Sequence, residues 1–198
     1  MTLHLLFAFA GYAIVTSITP GPNNTLLLAS GANHGFRRTI PLLLGINLGF
    51  SALVLSVGLG LGGLFVNYPM AHQALRYAGA AYLLYLAWKI AMSASGDDAL
   101  AERDPIRFLE AALFQWVNPK AWIMAIGAVA TYTPTDGYFA NLAVITFVFA
   151  AMNAPCIAAW AGFGSLLRAS LADPRRRRLF NWAMALMLVA SLVPILTM

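Results

Sequence analysis

Charged residues are scarce in this sequence. Only 10% of the 198 residues are charged, and 61% are hydrophobic, whereas an ordinary soluble domain is about a quarter charged. The apolar residues come in long runs without a polar face every few positions, which excludes a soluble helical core. We interpret the chain as an integral membrane protein with little polypeptide left for a soluble domain.

Cysteine is also nearly absent. The single Cys156 excludes an internal disulfide and dithiol electron transfer. The histidines His4, His34 and His72 fall at the ends of apolar segments and lack metal-ligand spacing. We therefore predict no metal site and no cofactor.

The sequence lacks a catalytic constellation at membrane depth. A membrane-embedded enzyme needs a nucleophile with a base, or a metal cluster. The stretch Gly162-Phe-Gly-Ser165 has no accompanying histidine in any apolar segment, and Glu110 is the deepest of the acids. We predict that the protein is not an enzyme.

Six apolar segments are long enough to cross a membrane, since a helical crossing needs about 20 residues. They are Leu5–Ala32, Ile40–Val66, Gln73–Met92, Phe108–Thr131, Tyr138–Gly164 and Leu179–Leu196. The predicted fold is an all-α integral membrane protein with six transmembrane helices. Because the N-terminus has no positive leader or cleavage site, the first segment is expected to be a permanent span.

Basic residues are concentrated on one side of these spans. Ten of the twelve lie in or beside the connections after the first, third and fifth spans, namely Arg37, Arg38, Lys89, Arg103, Arg107, Arg168 and Arg175 to Arg178. Basic short loops mark the cytoplasmic face, so both termini are predicted to be periplasmic in a bacterial inner membrane. This distribution accounts for the net charge of +5, and we predict contact with membrane lipid but no nucleic-acid partner.

The longest loop divides the single membrane domain into two halves. These are residues 1–92 and 108–198, and residues 93–107 form a predicted cytoplasmic loop. Each half contains an odd number of spans, so the halves insert in opposite orientations. The sequence thus predicts a 3+3 inverted repeat, which is a common plan of secondary transporters.

Proline interrupts the first and fourth spans near their middles, at Thr19-Pro20 and at Asn118-Pro119. Proline removes a helical hydrogen bond and clashes with the preceding turn, and lipid offers no water to replace that bond. A polar residue followed by proline is also a helix start signal. Both helices are therefore predicted to stop and restart, and paired breaks of this kind point to a transporter binding site.

The first break offers groups for an anionic ligand. Two asparagines supply amide donors and acceptors, and the restarting helix presents partial positive charge to an amino-acid carboxylate. The alternative is a kink used only for packing. The predicted substrate-binding residues here are Thr19, Pro20, Gly21, Pro22, Asn23 and Asn24.

The second break places a lysine at depth. Asn118, Pro119 and Lys120 are predicted to bind substrate. A lysine at the centre of a span costs about 2.5–3.5 kcal/mol, so Lys120 should face a polar cavity or a partner. It either meets a substrate carboxylate or carries the coupling proton; the alternative is that it snorkels to an interface.

Two more asparagines are candidates for substrate contact or for packing. Asn47 lies in the small-xxx-small frame Gly45–Gly49, which lets helices approach closely. Asn153 belongs to Asn153-Ala-Pro155, which is predicted to break the fifth span. The small residues Ala150, Ala154, Ala158 and Gly162 beside it are predicted to form a helix interface, within one chain or in a homodimer.

Several of these motifs resemble the LysE/RhtB family of amino-acid exporters. They are Thr-Pro-Gly-Pro-Asn at 19–23, His-Gly-Phe-Arg at 34–37, the stretch 79–89 that ends in Ala-Trp-Lys, and Asn-Pro-Lys at 118–120. The resemblance extends over the whole chain, although the last third contains no distinctive motif of the family. It is strongest to exporters of cysteine and O-acetylserine. It implies proton-driven efflux of a small amino acid across a bacterial inner membrane.

The sequence therefore predicts a secondary active exporter that works by alternating access around the two breaks. Its expected partners are an amino-acid substrate and a coupling ion, H⁺. The alternatives are a passive pore and a structural membrane subunit. A pore would place polar residues along the full length of several helices, whereas here they are localised at two breaks.

Overall fold

The computed structural model describes residues 1–61, 69–93 and 105–193. The described residues form helices and no strand, which confirms the all-α prediction. The helices are α1 (Leu3–Ile18), α2 (Pro22–His34), α3 (Phe36–Ser56, continued by a π-helical turn over Val57–Leu61), α4 (Pro69–Met92), α5 (Phe108–Val117), α6 (Pro119–Tyr132), α7 (Tyr138–Leu167) and α8 (Pro174–Ala190). The ends of the predicted second and sixth spans, and positions 94–104 of the predicted loop, lie outside the described residues.

Up to three of the predicted spans have the length and apolarity of a membrane crossing in the described part of the chain. Helix α3 with its π-helical turn covers Phe36–Leu61, and α7 contains 30 residues. Helices α1 and α2 are long and apolar enough only together, and they are bent by 56° at the break between them, as in a broken span or a re-entrant loop. The other three predicted spans coincide with α4, with α5 and α6 together, and with α8, and their crossing stays a prediction.

Both predicted helix breaks are present. Helix α1 ends at Ile18 and α2 begins at Pro22, while α5 ends at Val117 and α6 begins at Pro119. In each case a proline occupies the first position of the restarting helix, where its missing N–H costs nothing. Asn118 caps α6 through its side-chain oxygen, which accepts from the Lys120 N–H at 3.1 Å. The restart at Asn118-Pro119 thus follows the predicted pattern of a polar cap before proline. The first restart does not begin at Thr19-Pro20: Thr19 lies at the C-terminal end of α1, and α2 begins at Gly21-Pro22, where glycine has no side chain that could cap the helix.

The prediction that Asn153-Ala-Pro155 breaks the fifth span is wrong. Helix α7 is continuous from Tyr138 to Leu167 and contains Pro155 in its interior. A single proline removes one backbone bond, and neighbouring groups in a helical bundle can compensate for that loss. The side chain of Asn153 does not cap a restarting helix, because its amide donates to Asn47 Oδ1 of α3 at 2.8 Å.

Glycines bring α2 and α7 into backbone contact. A Cβ on Gly31 would meet the Ala161 carbonyl, and a Cβ on Gly164 would meet the Leu28 carbonyl, so the contact is reciprocal. A Cβ on Gly162, by contrast, would meet nothing. The close approach therefore runs through Ala161 and Gly164, and not through the row of small residues that ends at Gly162.

The frame Gly45–Gly49 makes a second close approach. A Cβ on Gly45 would meet the Phe108 carbonyl, and one on Gly49 would lie 2.6 Å from the backbone of Ala112. Helices α3 and α5 thus pack as a small-xxx-small frame allows. Because this face is used within the chain, it gives no support to a homodimer.

Helices from the two halves of the chain pack extensively against each other. Helices α1 and α2 pack on α7, α5 and α6 pack on α3, α3 packs on α7, and α4 packs on α8. Two buried apolar clusters result. One contains residues of α2 and α5, such as Leu27 and Phe114, and the other contains residues of α1 and α6, such as Phe9 and Ala125. Each broken helix therefore contributes one part to each cluster, and the breaks lie at the boundary.

Candidate functional site

The two breaks meet through Lys120. Its Nζ donates to the Thr19 carbonyl at 2.7 Å, to Thr19 Oγ1 at 2.9 Å and to the Pro20 carbonyl at 3.2 Å. Lys120 is the second residue of α6, where its charge opposes the helix dipole, but it reaches the C-terminal end of α1, where a positive charge is stabilised. The sequence alone does not identify a partner for Lys120. In the structure its partner is the first break, through two backbone carbonyls and the Thr19 hydroxyl.

The remaining carbonyls at the end of α1 also have donors. The Asn24 side-chain amide donates to the carbonyls of Ser17 and Thr19, both at 2.8 Å. The Trp160 indole of α7 donates to the Ile18 carbonyl at 3.1 Å. A helix end inside an apolar protein needs such partners because water is not available. The backbone carbonyls of residues 17–20 therefore all have donors, and Asn24 supplies two of these bonds.

A trio of side-chain amides joins the start of α2 to the end of α5. Asn23 Nδ2 donates to Gln115 Oε1 at 2.8 Å, and Gln115 Nε2 donates back to Asn23 Oδ1 at 3.1 Å. Asn118 Nδ2 donates to the same Asn23 oxygen at 3.3 Å. The sequence analysis missed Gln115, which is fully buried. The sequence feature that could have identified Gln115 is a polar amide within an apolar segment, almost one helical turn before Asn118.

A pocket of about 350 Å³, including its open mouth, lies at the junction of the breaks. Of the predicted residues, Gly21, Asn23, Asn24, Asn118, Lys120 and Asn153 line it. Thr19, Pro20, Pro22 and Pro119 shape the breaks themselves, and Asn47 supports Asn153 by accepting its amide. The rest of the lining is Thr16, Ser17, Phe50, Ala121, Met124 and Ile157.

The pocket combines one cation and several amides with an apolar wall. Lys120 supplies the charge, and Phe50, Met124 and Ile157 supply apolar surface. The lining contains no carboxylate. No group of three His, Cys, Asp or Glu side chains in the described segments could hold a metal ion. The arrangement suits a small organic molecule with a negatively charged group.

Aromatic rings pack beside the pocket. Phe50 contacts Phe149 with ring centroids 4.7 Å apart, and Phe149 contacts Phe9 at 5.6 Å. Tyr132 lies 5.2 Å from Phe9 and 5.3 Å from Tyr12. These five rings form a continuous cluster, which we call the aromatic cluster. It extends from the pocket toward the N-terminal part of α1.

A second buried polar cluster lies at the far end of α2. Asn33 and Asn181 exchange side-chain hydrogen bonds at 2.9 and 3.1 Å. Asn181 also donates to Ser93 Oγ at 3.0 Å. This asparagine cluster ties α2 to α8 and to the residue that follows α4. The sequence analysis did not single out any of its members, because none stands beside a break.

Comparisons with known proteins find relatives along the whole chain. The profile of the LysE type translocator family matches residues 14–194. The chain is 36% identical, over 98% of its length and 99% of the relative's, to the cysteine/O-acetylserine efflux protein of Escherichia coli strain K12. The protein of that name from Shigella sonnei strain Ss046 gives the same values, and that of Escherichia coli O139:H28 strain E24377A is 35% identical. No solved structure matches the chain.

The family match spans nearly the whole chain and both helix breaks. The relatives align over their full length, so the likeness is not confined to one motif. The chain therefore belongs to the LysE family, and it is a translocator rather than an enzyme.

Proposed function

We propose that the protein exports a small neutral amino acid, of the cysteine or O-acetylserine kind, from the cytoplasm across the bacterial inner membrane. Export is secondary active, by alternating access, with H⁺ as the coupling ion. The observation that carries this proposal is the junction of two broken helices around one pocket, joined by Lys120 and Thr19. Broken helices at the interface of two repeats are where secondary transporters bind substrate.

The groups at the pocket favour an amino acid without net charge. Lys120 and the first N–H groups of α2 suit a carboxylate, since the early N–H groups of a helix lack carbonyl partners within that helix. The lining contains no Asp or Glu, so a basic substrate side chain would find no opposite charge. The names of the relatives add cysteine and O-acetylserine as the starting substrates to test.

The packing of the helices supports a 3+3 inverted repeat. Exchange of the halves pairs α1 and α2 with α5 and α6, α3 with α7, and α4 with α8. Under this exchange the contacts of α1 and α2 with α7 become those of α5 and α6 with α3, while the α3–α7 and α4–α8 contacts map onto themselves. Taken helix by helix, with α1 matched to α5 and α2 to α6, the smaller α2–α8 and α4–α5 contacts have no counterpart of similar extent among the described residues. We propose that six spans cross the membrane on this plan, with both termini periplasmic. The run Arg175–Arg178, in which Arg175, Arg176 and Arg178 are exposed, then lies at the cytoplasmic lipid surface.

Two gates follow from this orientation. The aromatic cluster lies between the pocket and the periplasmic side, and the asparagine cluster lies toward the cytoplasmic side. In the inward-open state the asparagine cluster separates and admits the substrate. In the outward-open state the aromatic rings separate and release it. Lys120 gives up its bonds to Thr19 when it meets the substrate carboxylate or when it loses a proton. Which gate is open therefore depends on which species is bound.

Counterflow distinguishes this exporter from a passive pore or a structural subunit. Inverted vesicles preloaded with unlabelled cysteine are expected to take up labelled cysteine several-fold faster than empty vesicles do. A carrier that finds substrate on both sides of the membrane returns in its loaded form, and this return is faster than that of the empty form. A pore shows no such trans-stimulation. Equal uptake by preloaded and empty vesicles would contradict the carrier, and uptake no greater than in vesicles without the protein would contradict transport altogether.

Gly21→Ala tests the approach of Lys120 to the first break. A Cβ on Gly21 would lie 2.8 Å from Lys120 Cδ and 3.2 Å from Nζ. The backbone at Gly21 is extended, with φ 174°, so alanine can adopt it and the effect is steric. We expect the flexible lysine to be displaced and the transport rate to fall about tenfold, which corresponds to about 1.4 kcal/mol.

The amount of folded Gly21→Ala protein is expected to stay near the wild-type level, because a lysine side chain can move. Gly11→Ala is the matched control, since a Cβ on Gly11 would meet nothing within 4 Å. Transport by Gly21→Ala at the wild-type rate would show that the contact between Lys120 and the first break is not needed.

A further inference from the structure

The hydroxyl of Ser17 has no hydrogen-bond partner among the described residues. Ser17 is only 4% exposed, and its Oγ is a buried oxygen without a donor or an acceptor nearby. Such groups are rare in folded proteins, because a buried polar atom without a partner is destabilising. Ser17 also lines the pocket at the helix breaks. An unsatisfied hydroxyl in the wall of a binding pocket is available to a ligand.

Ser17 does not make the bond that is usual for a helical serine. A serine inside a helix ordinarily donates to the carbonyl four residues earlier, which here is that of Ala13. The neighbouring Thr16 does make such a bond, because its Oγ1 donates to the Tyr12 carbonyl at 2.7 Å. The Ser17 carbonyl accepts from Asn24, but the Ser17 hydroxyl has no partner among the described residues.

Elimination within the pocket assigns Ser17 to the substrate side chain. The charged part of an amino acid is held where the pocket offers Lys120 and the amides of Asn23 and Asn118. The rest of the molecule then faces the remaining lining, which includes Phe50 and Ile157. The amide of Asn153 in that lining is already bonded to Asn47, whereas Ser17 Oγ has no partner among the described residues.

We propose that Ser17 is a specificity-determining residue that hydrogen-bonds an oxygen or sulfur atom on the β-carbon of the substrate. This inference rests on the proposed export of a small amino acid. It defines the substrate class as amino acids with a β-thiol, β-hydroxyl or β-ester group. An analogue with a methyl group in that place would leave the serine hydroxyl buried and unpaired, which a pocket rejects more strongly than a change of size.

Ligand-induced thermal stabilisation of the purified full-length protein measures this preference without requiring turnover. A ligand that binds the folded state raises its melting temperature according to its concentration relative to Kd. Cysteine is compared with 2-aminobutyrate, in which a methyl group replaces the thiol. Wild-type protein is expected to bind cysteine about tenfold more tightly than 2-aminobutyrate. Ser17→Ala should reduce this ratio to about twofold or less, mainly by weakening cysteine binding.

The ratio of two ligands within one variant is insensitive to the amount of folded protein. Ser17→Thr keeps a hydroxyl and should retain most of the preference. Thr146→Val is the matched control, because Thr146 is a buried residue of α7 outside the pocket whose hydroxyl donates to the Leu142 carbonyl. Its ratio should equal that of the wild type.

Three results would overturn the inference. The first is a ratio of cysteine to 2-aminobutyrate affinity that is unchanged in Ser17→Ala. The second is an equal loss of affinity for both ligands in that variant, which would place Ser17 at the charged end of the substrate. The third is a wild-type protein that neither ligand stabilises. Cysteine uptake into inverted vesicles is measured separately. If wild-type vesicles fail to transport cysteine while the purified protein still prefers it through Ser17, the export proposal fails and the recognition by Ser17 stands.

Discussion

Lys120→Met is expected to lower transport of labelled cysteine into inverted vesicles by about two orders of magnitude. The substitution removes the ammonium group, which is held at Thr19 and Pro20 in this structure and which leaves them to meet the substrate carboxylate in the proposed cycle. One hydrogen bond to a charged group contributes about 1.5–3 kcal/mol, and about 2.7 kcal/mol corresponds to a hundredfold change in rate. Methionine fills a similar volume, so the effect comes from the charge and its bonds.

Lys89→Met is the matched control for this result. Lys89 is a lysine of α4, and its Nζ lies 3.9 Å from the Glu110 carboxylate, in a partly exposed pair of the kind that contributes little to stability. Its replacement should leave transport within about twofold of the wild type. If Lys120→Met transports at the normal rate with the normal pH dependence, Lys120 neither meets the substrate nor carries the coupling proton.

Gly164→Val is expected to prevent the protein from folding stably. A Cβ on Gly164 would meet the Leu28 carbonyl and would lie 3.0 Å from the Ala32 nitrogen. These are backbone atoms inside α2, so they cannot move aside as a side chain could. Overpacking a core costs about 1–3 kcal/mol when side chains can adjust, and a backbone obstacle raises that cost. The expected result is a monodisperse yield in detergent at least about tenfold below wild type.

Gly162→Val provides the control on the same helix, two positions away. A Cβ at Gly162 would meet nothing within 4 Å, and valine has the same intrinsic helix preference at both sites. Gly162→Val should therefore give wild-type yield and melting temperature. Equal behaviour of the two variants would show that α2 and α7 do not pack as tightly as described.

The helix breaks could be predicted from the sequence because their causes are local. Thr19-Pro20-Gly21-Pro22 and Asn118-Pro119 each contain a residue that ends a helix and one that starts the next. Pro155 shows the limit of this reasoning. An asparagine stands two positions before it and not directly before it, and the amide of this Asn153 donates to Asn47, 106 positions away in the sequence. Whether an asparagine caps a new helix or bonds across the bundle depends on the tertiary structure.

The contacts within the site could not be predicted in the same way. Lys120 lies 101 positions from Thr19, and no pattern in the sequence specifies that a backbone carbonyl would be its partner. Gln115 is one amide within an apolar helix, and its importance depends on its pairing with Asn23 across 92 positions. Ser17 resembles any helical serine until the structure shows that its hydroxyl is buried beside the pocket without a partner among the described residues. Long-range pairing therefore decides which polar residues define the pocket.

Substrate protection of a thiol placed in the pocket wall tests most directly whether the junction of the two breaks binds substrate. The variant Thr16→Cys, in a Cys156→Ser background, puts a thiol at a half-buried position among the lining residues, and Thr135→Cys in the same background puts one in the exposed connection between α6 and α7. We predict that a water-soluble thiol reagent modifies both positions, and that O-acetylserine slows the modification of position 16 several-fold without an effect at position 135. Modification of position 16 at the same rate with and without O-acetylserine, or no modification there at all, would contradict a substrate pocket between the two broken helices.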